Sequence, residues 1–124
     1  MRNLLLVFIG GGLGSVLRYA VYRLTNSITQ SVFPYGTFLV NIVGCFFIGF
    51  FVFYTERYSA QSLQWRLFLI TGLCGGFTTF SAFTFENLSL ITDHRIFLFL
   101  LYTIGSVTLG IMATYFGLLA ARNV

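Results

Sequence analysis

The sequence contains no lysine and very few acidic residues. Its 124 residues include seven arginines and only three acids, so that 8% of the chain is charged. A soluble domain carries about 25% charged residues. The arginines are scattered rather than clustered, which argues against a nucleic-acid surface and favours anchors at the edges of a membrane. The composition therefore excludes a water-soluble monomer.

Residues that usually carry catalysis or hold metals are also scarce. The chain has one histidine, His94, and two cysteines, Cys45 and Cys74, which form no CxxC or cysteine–histidine spacing. No apolar stretch contains two carboxylates, so a paired-acid mechanism has no candidate residues. We therefore expect a protein that is not an enzyme and has no catalytic residues.

Long hydrophobic runs are what the sequence has in abundance. Hydrophobic residues make up 57% of the chain, and four apolar stretches cover about residues 3–24, 33–54, 67–91 and 96–121. About 20 apolar residues cross a bilayer as a helix, and the sequence lacks the alternation of a membrane β-barrel. The chain is predicted to be a single all-α domain over residues 1–124, a multi-pass protein of the cell (inner) membrane with four transmembrane helices.

The centre of the third stretch is rich in glycine. Gly72, Gly75 and Gly76 lie close together there, just before Thr78 and Thr79. Each glycine costs about 1 kcal/mol in a helix interior. A break at membrane depth is tolerated only where the freed backbone is buried in protein or lines a wet cavity or an ion site. We predict that the third helix breaks near Gly75–Gly76; a kink that permits close helix packing is the alternative.

The arginines give little preference for one orientation in the membrane. With four spans, one side holds Arg2, Arg57, Arg66 and Arg122, and the other side or the path toward it holds Arg18, Arg23 and Arg95. This nearly even division barely satisfies the positive-inside rule. Two interpretations stay open at this point: an ordinary protein with both termini inside, and a chain that inserts both ways and pairs about a two-fold axis in the membrane plane.

Uncharged polar residues and phenylalanines recur inside the apolar stretches. They include Asn41, Thr79, Ser81, Tyr102 and Ser106, together with Phe80 and Phe83 on one helix face. Polar groups are costly in lipid, so their presence indicates a permeation path. Hydroxyl and amide groups donate hydrogen bonds, phenyl rings have positive edges, and the deepest cation is Arg18. The path therefore suits a small anion; plain core packing of the phenylalanines is the alternative.

Three segments resemble the signatures of a known family. Residues 10–19 (GGGLGSVLRY), 36–46 (GTFLVNIVGCF) and 72–84 (GLCGGFTTFSAFT) are similar to those of the Fluc (CrcB) fluoride channels. The resemblance extends over the whole chain in length, number of spans and order of motifs. One departure is Ala82, which stands where the family commonly has a hydroxyl residue.

The resemblance implies both a function and a set of residues. It implies a dual-topology antiparallel homodimer with two passive pores that export cytoplasmic fluoride and so lower its toxicity. It also implies a sodium ion at the dimer centre, held by the main-chain oxygens of Gly75 and Thr78. The residues that it assigns to the fluoride pore are Asn41, Thr79, Phe80, Ser81, Phe83, Tyr102 and Ser106, with Arg18 in the vestibule. The expected partners are fluoride, sodium, the lipid bilayer and a second copy of the chain.

Two other functions remain as alternatives. A proton-coupled transporter of the small multidrug resistance type is also a small four-helix protein, but its mechanism needs an acid in the first span. This chain has Arg18 there, and Glu86 in the third span is the sole possible substitute. A subunit of a larger membrane complex that transports nothing alone is the other alternative. Whether a paralogous second chain is needed stays open.

Overall fold

The computed structural model describes residues 1–58 and 62–124. Its elements are α1 (Arg2–Ile28), α2 (Tyr35–Tyr58), α3 (Ser62–Trp65), a π-helical segment (Arg66–Cys74), α4 (Gly75–Phe77), α5 (Phe80–Thr92) and α6 (Ile96–Arg122). Four stretches of the described chain, Arg2–Ile28, Tyr35–Arg57, Leu63–Thr92 and Ile96–Arg122, are long and apolar enough to cross a membrane. The predicted all-α architecture with four spans is confirmed. Residues 59–61, between the predicted second and third spans, lie outside the described residues.

α1 packs against the first part of the third span through glycines. A Cβ atom on Gly10 would collide with the Phe68 carbonyl, and one on Gly14 would lie 2.7 Å from the Phe77 amide nitrogen. A Cβ atom on Gly76 would collide in the same way with the backbone of Gly11. Helix backbones approach this closely only where side chains are missing. Close helix packing is therefore one use of the glycines in this part of the chain.

The third span is interrupted at its centre, as predicted, but the extended residues are Thr78 and Thr79, a few positions after the Gly75–Gly76 pair near which the sequence placed the break. Gly75 is helical, with φ −63° and ψ −36°. Thr78 (φ −79°, ψ 160°) and Thr79 (φ −151°, ψ 120°) are extended. The contact with α1 keeps Gly76 within the helix, whereas β-branched threonines favour extended backbone. The interruption therefore falls at the threonine pair that follows the glycines.

α2 and α6 form a second closely packed pair. A Cβ atom on Gly117 of α6 would lie 3.0 Å from the Phe50 nitrogen, and one on Gly49 of α2 would lie 3.2 Å from the Leu118 nitrogen. α4 contacts α1 and α2, and α5 contacts α2 and α6. The interruption in the third span therefore lies among the three other spans.

A tight turn joins α5 to α6. His94 has a φ of 57°, in the left-handed region. The His94 amide donates to the Ile91 carbonyl (3.0 Å), and the Arg95 amide donates to the Leu90 carbonyl (2.8 Å). These bonds satisfy carbonyls at the end of α5 in the manner of a Schellman motif. The chain then returns as α6, which packs alongside α5.

Candidate functional site

A cavity of about 290 Å³ lies where the third span is interrupted. It is lined by Asn41, Gly44, Cys45 and Ile48 of α2, by Thr78, Thr79, Phe80 and Phe83 of the third span, and by Ser106 and Val107 of α6. This set includes all of the predicted pore residues except Ser81 and Tyr102. None of these described lining residues is charged, so a small anion would meet no negative charge on the wall.

Asn41 of α2 bridges the gap in the third span. Its Oδ1 accepts a hydrogen bond from the Thr79 amide (2.8 Å), and its Nδ2 donates to the Thr79 carbonyl (3.1 Å). Because the Thr79 N–H can only donate, this pair fixes which way the Asn41 amide is turned. The extended residue thus obtains from a side chain the partners that a helix would otherwise supply. The second hydrogen on Nδ2 faces no partner in this pair and is a candidate donor to the cavity.

α5 begins at the cavity and presents its N-terminus there. Thr79 is the N-cap, with Oγ1 accepting a hydrogen bond from the Ala82 amide (3.3 Å). The Ser81 hydroxyl oxygen lies 3.3 Å from the same Oγ1. Ala82 therefore contributes a backbone N–H to this arrangement rather than a side-chain hydroxyl. The first turn of a helix carries a partial positive charge, which favours an anion nearby.

The rings of Phe80 and Phe83 lie next to each other at the cavity. Their centroids are 5.8 Å apart and their planes are tilted by 35°. Phe83 also packs against Tyr102, with a centroid distance of 5.1 Å. Phe80 is 76% exposed in the isolated chain, whereas Tyr102 is fully buried. A row of three rings therefore leads from the surface of the chain into its interior.

Ser106 places a buried hydroxyl at the cavity wall. Its Oγ is shielded from solvent and has no hydrogen-bond partner among the residues that the structure describes. Leaving a buried polar group unpaired costs about 1–3 kcal/mol. A polar occupant of the cavity would remove that cost, so this hydroxyl is a candidate ligand for the occupant.

Glu86 is the residue whose role the sequence missed. Its Oε1 accepts a hydrogen bond from the Thr37 hydroxyl (2.6 Å), and its Oε2 accepts one from the Tyr102 hydroxyl (2.7 Å). Thr37 is 2% exposed. From the sequence, Glu86 was only the sole possible substitute for a transporter acid, although an ionisable residue within a membrane span is by itself a signal of function. The two hydroxyl groups belong to α2 and α6, whereas Glu86 belongs to α5. Spacing within the sequence does not predict which residues of different helices come into contact.

Arg18 of α1 also contacts the interruption. Its Nη1 donates to the Thr78 carbonyl (3.2 Å). The Thr79 amide, which in a continuous helix would donate to the Gly75 carbonyl, is bonded to Asn41 instead. The main-chain oxygens of Gly75 and Thr78 are therefore both released from regular helical bonding. Arg18, which was predicted to lie in a vestibule, therefore lies beside the main-chain oxygens that were predicted to hold sodium.

Comparison with known proteins identifies the family. The family model described as "CrcB-like protein, Camphor Resistance (CrcB)" matches residues 5–118. The chain belongs to the CrcB/FluC family. It is 49% identical over 123 residues to a Flavobacterium psychrophilum protein named "Fluoride-specific ion channel FluC", with 99% of each chain covered. It is 50% identical to a Phocaeicola vulgatus protein of the same name, with 95% of this chain and 97% of that one covered. The predicted family is confirmed.

As a CrcB/FluC protein, the chain is a multi-pass membrane protein of a channel family rather than an enzyme. The structure gathers its three signature segments at one place. Residues 10–19 supply Gly14 and Arg18, residues 36–46 supply Asn41, and residues 72–84 supply the interruption with Thr78 and Thr79. The motifs that identify the family therefore build the interrupted span and its cavity.

Proposed function

We propose that this chain forms a passive, fluoride-selective channel that exports cytoplasmic fluoride and so lowers its toxicity. The observation that carries the proposal is the similarity over nearly the full length to proteins named as fluoride-specific ion channels. The cavity at the interruption supports it, because its wall combines an unpartnered hydroxyl, the positive end of α5 and two phenyl rings.

Fluoride is small and holds its hydration shell tightly, so a selective pore must replace water with close donors. Ser106 and the free hydrogen of Asn41 are the proposed donors in the cavity, with Thr79 and Ser81 at the start of α5. The edges of the Phe80 and Phe83 rings carry partial positive charge and would line the fluoride path next to these donors. The Tyr102 ring lies beyond Phe83 and would line the path next. A narrow path of uncharged donors excludes larger anions, which a wide cationic pore would pass.

The test is ion efflux from liposomes that contain only the purified chain. We expect rapid fluoride efflux down its gradient, little chloride efflux and no requirement for a proton gradient. Empty liposomes are the control. Comparable chloride efflux would contradict fluoride selectivity. Flux that required a proton gradient would support the transporter alternative, and no flux from the chain alone would support the need for a further subunit.

We further propose that two copies pair in antiparallel orientation. On the isolated chain, Gly75 and Phe80 are exposed beside the interruption. A second copy would cover them and complete the pore. The test uses single cysteines placed at the termini after Cys45 and Cys74 have been replaced by alanine. A membrane-impermeant thiol reagent should label comparable fractions from each side of the membrane; labelling from one side only would contradict dual topology.

The freed main-chain oxygens fit a sodium ion between the two copies. Neutral carbonyl oxygens suit a hard monovalent cation, and those of Gly75 and Thr78 lack their helical donors. The Thr78 oxygen shares one lone pair with Arg18 and keeps another. Such an ion would offset the repulsion of carbonyl dipoles that meet at the dimer axis. Prolonged dialysis into sodium-free buffer should shorten the dimer lifetime; an unchanged lifetime together with no bound sodium would contradict the site.

A further inference from the structure

A second, more polar cavity lies between the end of α1 and the start of α2. This connector cavity has a volume of about 160 Å³, and its polar lining includes Tyr22, Thr25, Asn26, Ser31, Thr37 and Glu86. Asn26 and Ser31 are exposed at the connector, whereas Thr37 is buried. The connector cavity therefore extends from the end of the helices to the carboxylate of Glu86.

One layer of side chains separates the connector cavity from the cavity at the interruption. Glu86 borders the connector cavity and is bonded to Tyr102 (2.7 Å). The Tyr102 ring packs against Phe83, which lines the other cavity. An ion that passes the phenylalanine rings would therefore meet the Glu86 carboxylate before it reached the connector cavity.

The hydroxyl groups around Glu86 have a fixed donor order. Thr37 donates its single hydroxyl hydrogen to Oε1 of Glu86. The Tyr22 hydroxyl, 3.2 Å from the Thr37 oxygen, must then be the donor in that pair. Tyr22 therefore donates to Thr37, and Thr37 donates to Glu86.

We infer that Tyr22 is a positioning residue of the permeation path, acting through Thr37 on Glu86. A threonine in a helix has competing acceptors in the carbonyls one turn earlier. The donor from Tyr22 occupies the Thr37 oxygen and holds its hydrogen on Glu86. With both carboxylate oxygens bonded, the negative charge is partly neutralised where an anion must pass. The inference rests on the proposed fluoride conduction.

The first test measures fluoride efflux from liposomes for a double-mutant cycle. Tyr22→Phe removes one hydroxyl and keeps the ring, and it should slow fluoride efflux by about three- to tenfold, the range expected for one lost hydrogen bond. In a Thr37→Val background the same change should have no further effect. Tyr19→Phe, on the same helix and 63% exposed, is the matched control and should change nothing.

The second test reads the Glu86 carboxylate directly and does not depend on flux. Glu56 and Glu86 are the only glutamates, so ¹³C-glutamate labelling of a Glu56→Gln protein leaves one labelled carboxylate. The frequency of its infrared stretching band should shift in the Tyr22→Phe variant and should stay unchanged in the Tyr19→Phe variant. An unmoved band, or equal loss of flux with and without Thr37, would overturn the inference. Inactivity of the unmodified protein would instead contradict the proposed function.

Discussion

The two parts of the third span are held in place by opposite means. Residues 66–77, before the interruption, meet α1 through bare backbone, as the collision that a Cβ on Gly76 would make with Gly11 shows. α5, after the interruption, is held by side-chain hydrogen bonds from other helices, among them Thr103 to Asn87 (2.9 Å) and Tyr102 to Glu86 (2.7 Å). The first part is therefore positioned mainly by close backbone contact, to which the Ser15 hydroxyl adds a hydrogen bond to the Gly76 carbonyl (3.4 Å). The second part is positioned by polar side chains.

This difference has a consequence for function. A backbone-to-backbone contact leaves no room for a water molecule or an ion, so the face of residues 66–77 that meets α1 serves as a support. Polar side chains that hold α5 can also bind a permeant, because a hydroxyl or amide has more than one bonding position. Asn41 shows both uses: it satisfies Thr79 and keeps one hydrogen for the cavity. Changes in the first part should therefore affect folding, and changes around α5 should affect flux as well.

The largest effect is expected from Gly14→Ala. The added methyl group would collide with the Leu73 carbonyl and lie 2.7 Å from the Phe77 nitrogen. Because both neighbours are backbone atoms, neither can move without displacing a helix. We expect the free energy of unfolding to fall by about 3 kcal/mol or more, measured by denaturant titration in mixed micelles.

Gly12→Ala is the matched control for that change. Gly12 lies on the same helix, and its added Cβ would have no neighbour within 4 Å in the described parts of the chain, residues 1–58 and 62–124. Alanine is favoured over glycine in a helix by about 1 kcal/mol, so this variant should be at least as stable as the unmodified protein. Equal losses of stability in both variants would show that the contact between α1 and the third span is not close.

The next largest effect is expected from Asn41→Leu. Leucine has a similar size but leaves the amide and the carbonyl of Thr79 without partners in an apolar setting. Each of the two unpaired groups costs about 1–3 kcal/mol, so the free energy of unfolding should fall by about 2 kcal/mol or more, and fluoride flux should fall with it. Asn123→Leu, beyond the end of α6, is the control. Retained flux would show that Asn41 neither closes the interruption nor lines the path.

Phe83→Ile, and likewise Phe80→Ile, should separate flux from stability. Isoleucine keeps the hydrophobic character but lacks the positive ring edge, so fluoride flux should fall about tenfold or more, while the stability loss stays near 1 kcal/mol. Phe97→Ile, 76% exposed in α6, is the control because Phe80 has the same exposure. If flux survived both changes, the two rings would be packing residues.

The sequence predicted the spans well, because apolar runs of about 20 residues are long enough to cross a bilayer as helices. The sequence placed the interruption a few residues early, because a glycine that permits a bend cannot be distinguished in the sequence from one that permits a close helix contact. Only the structure shows that Gly76 is used for the contact with Gly11. The group of Glu86, Thr37 and Tyr102 was missed for a related reason: its members come from three helices, and helical periodicity predicts which residues share a face but not which faces meet.

The smallest effect concerns the turn that ends α5. His94 adopts φ 57°, a conformation that costs a residue with a Cβ atom about 1–2 kcal/mol and costs glycine almost nothing. Glycine also gains about 0.4–1 kcal/mol of entropy in the unfolded chain, so His94→Gly should stabilise the protein by a net of about 0.5 kcal/mol. The adjacent Asp93 has φ −82°, where glycine gives no relief, so Asp93→Gly should destabilise by about 0.5–1 kcal/mol.

Unfolding midpoints of the two variants should therefore move in opposite directions. Fluoride flux should be unchanged in both, because the turn lies away from the two cavities. If the unfolding midpoints of both variants decreased, the turn would not hold His94 in the left-handed conformation.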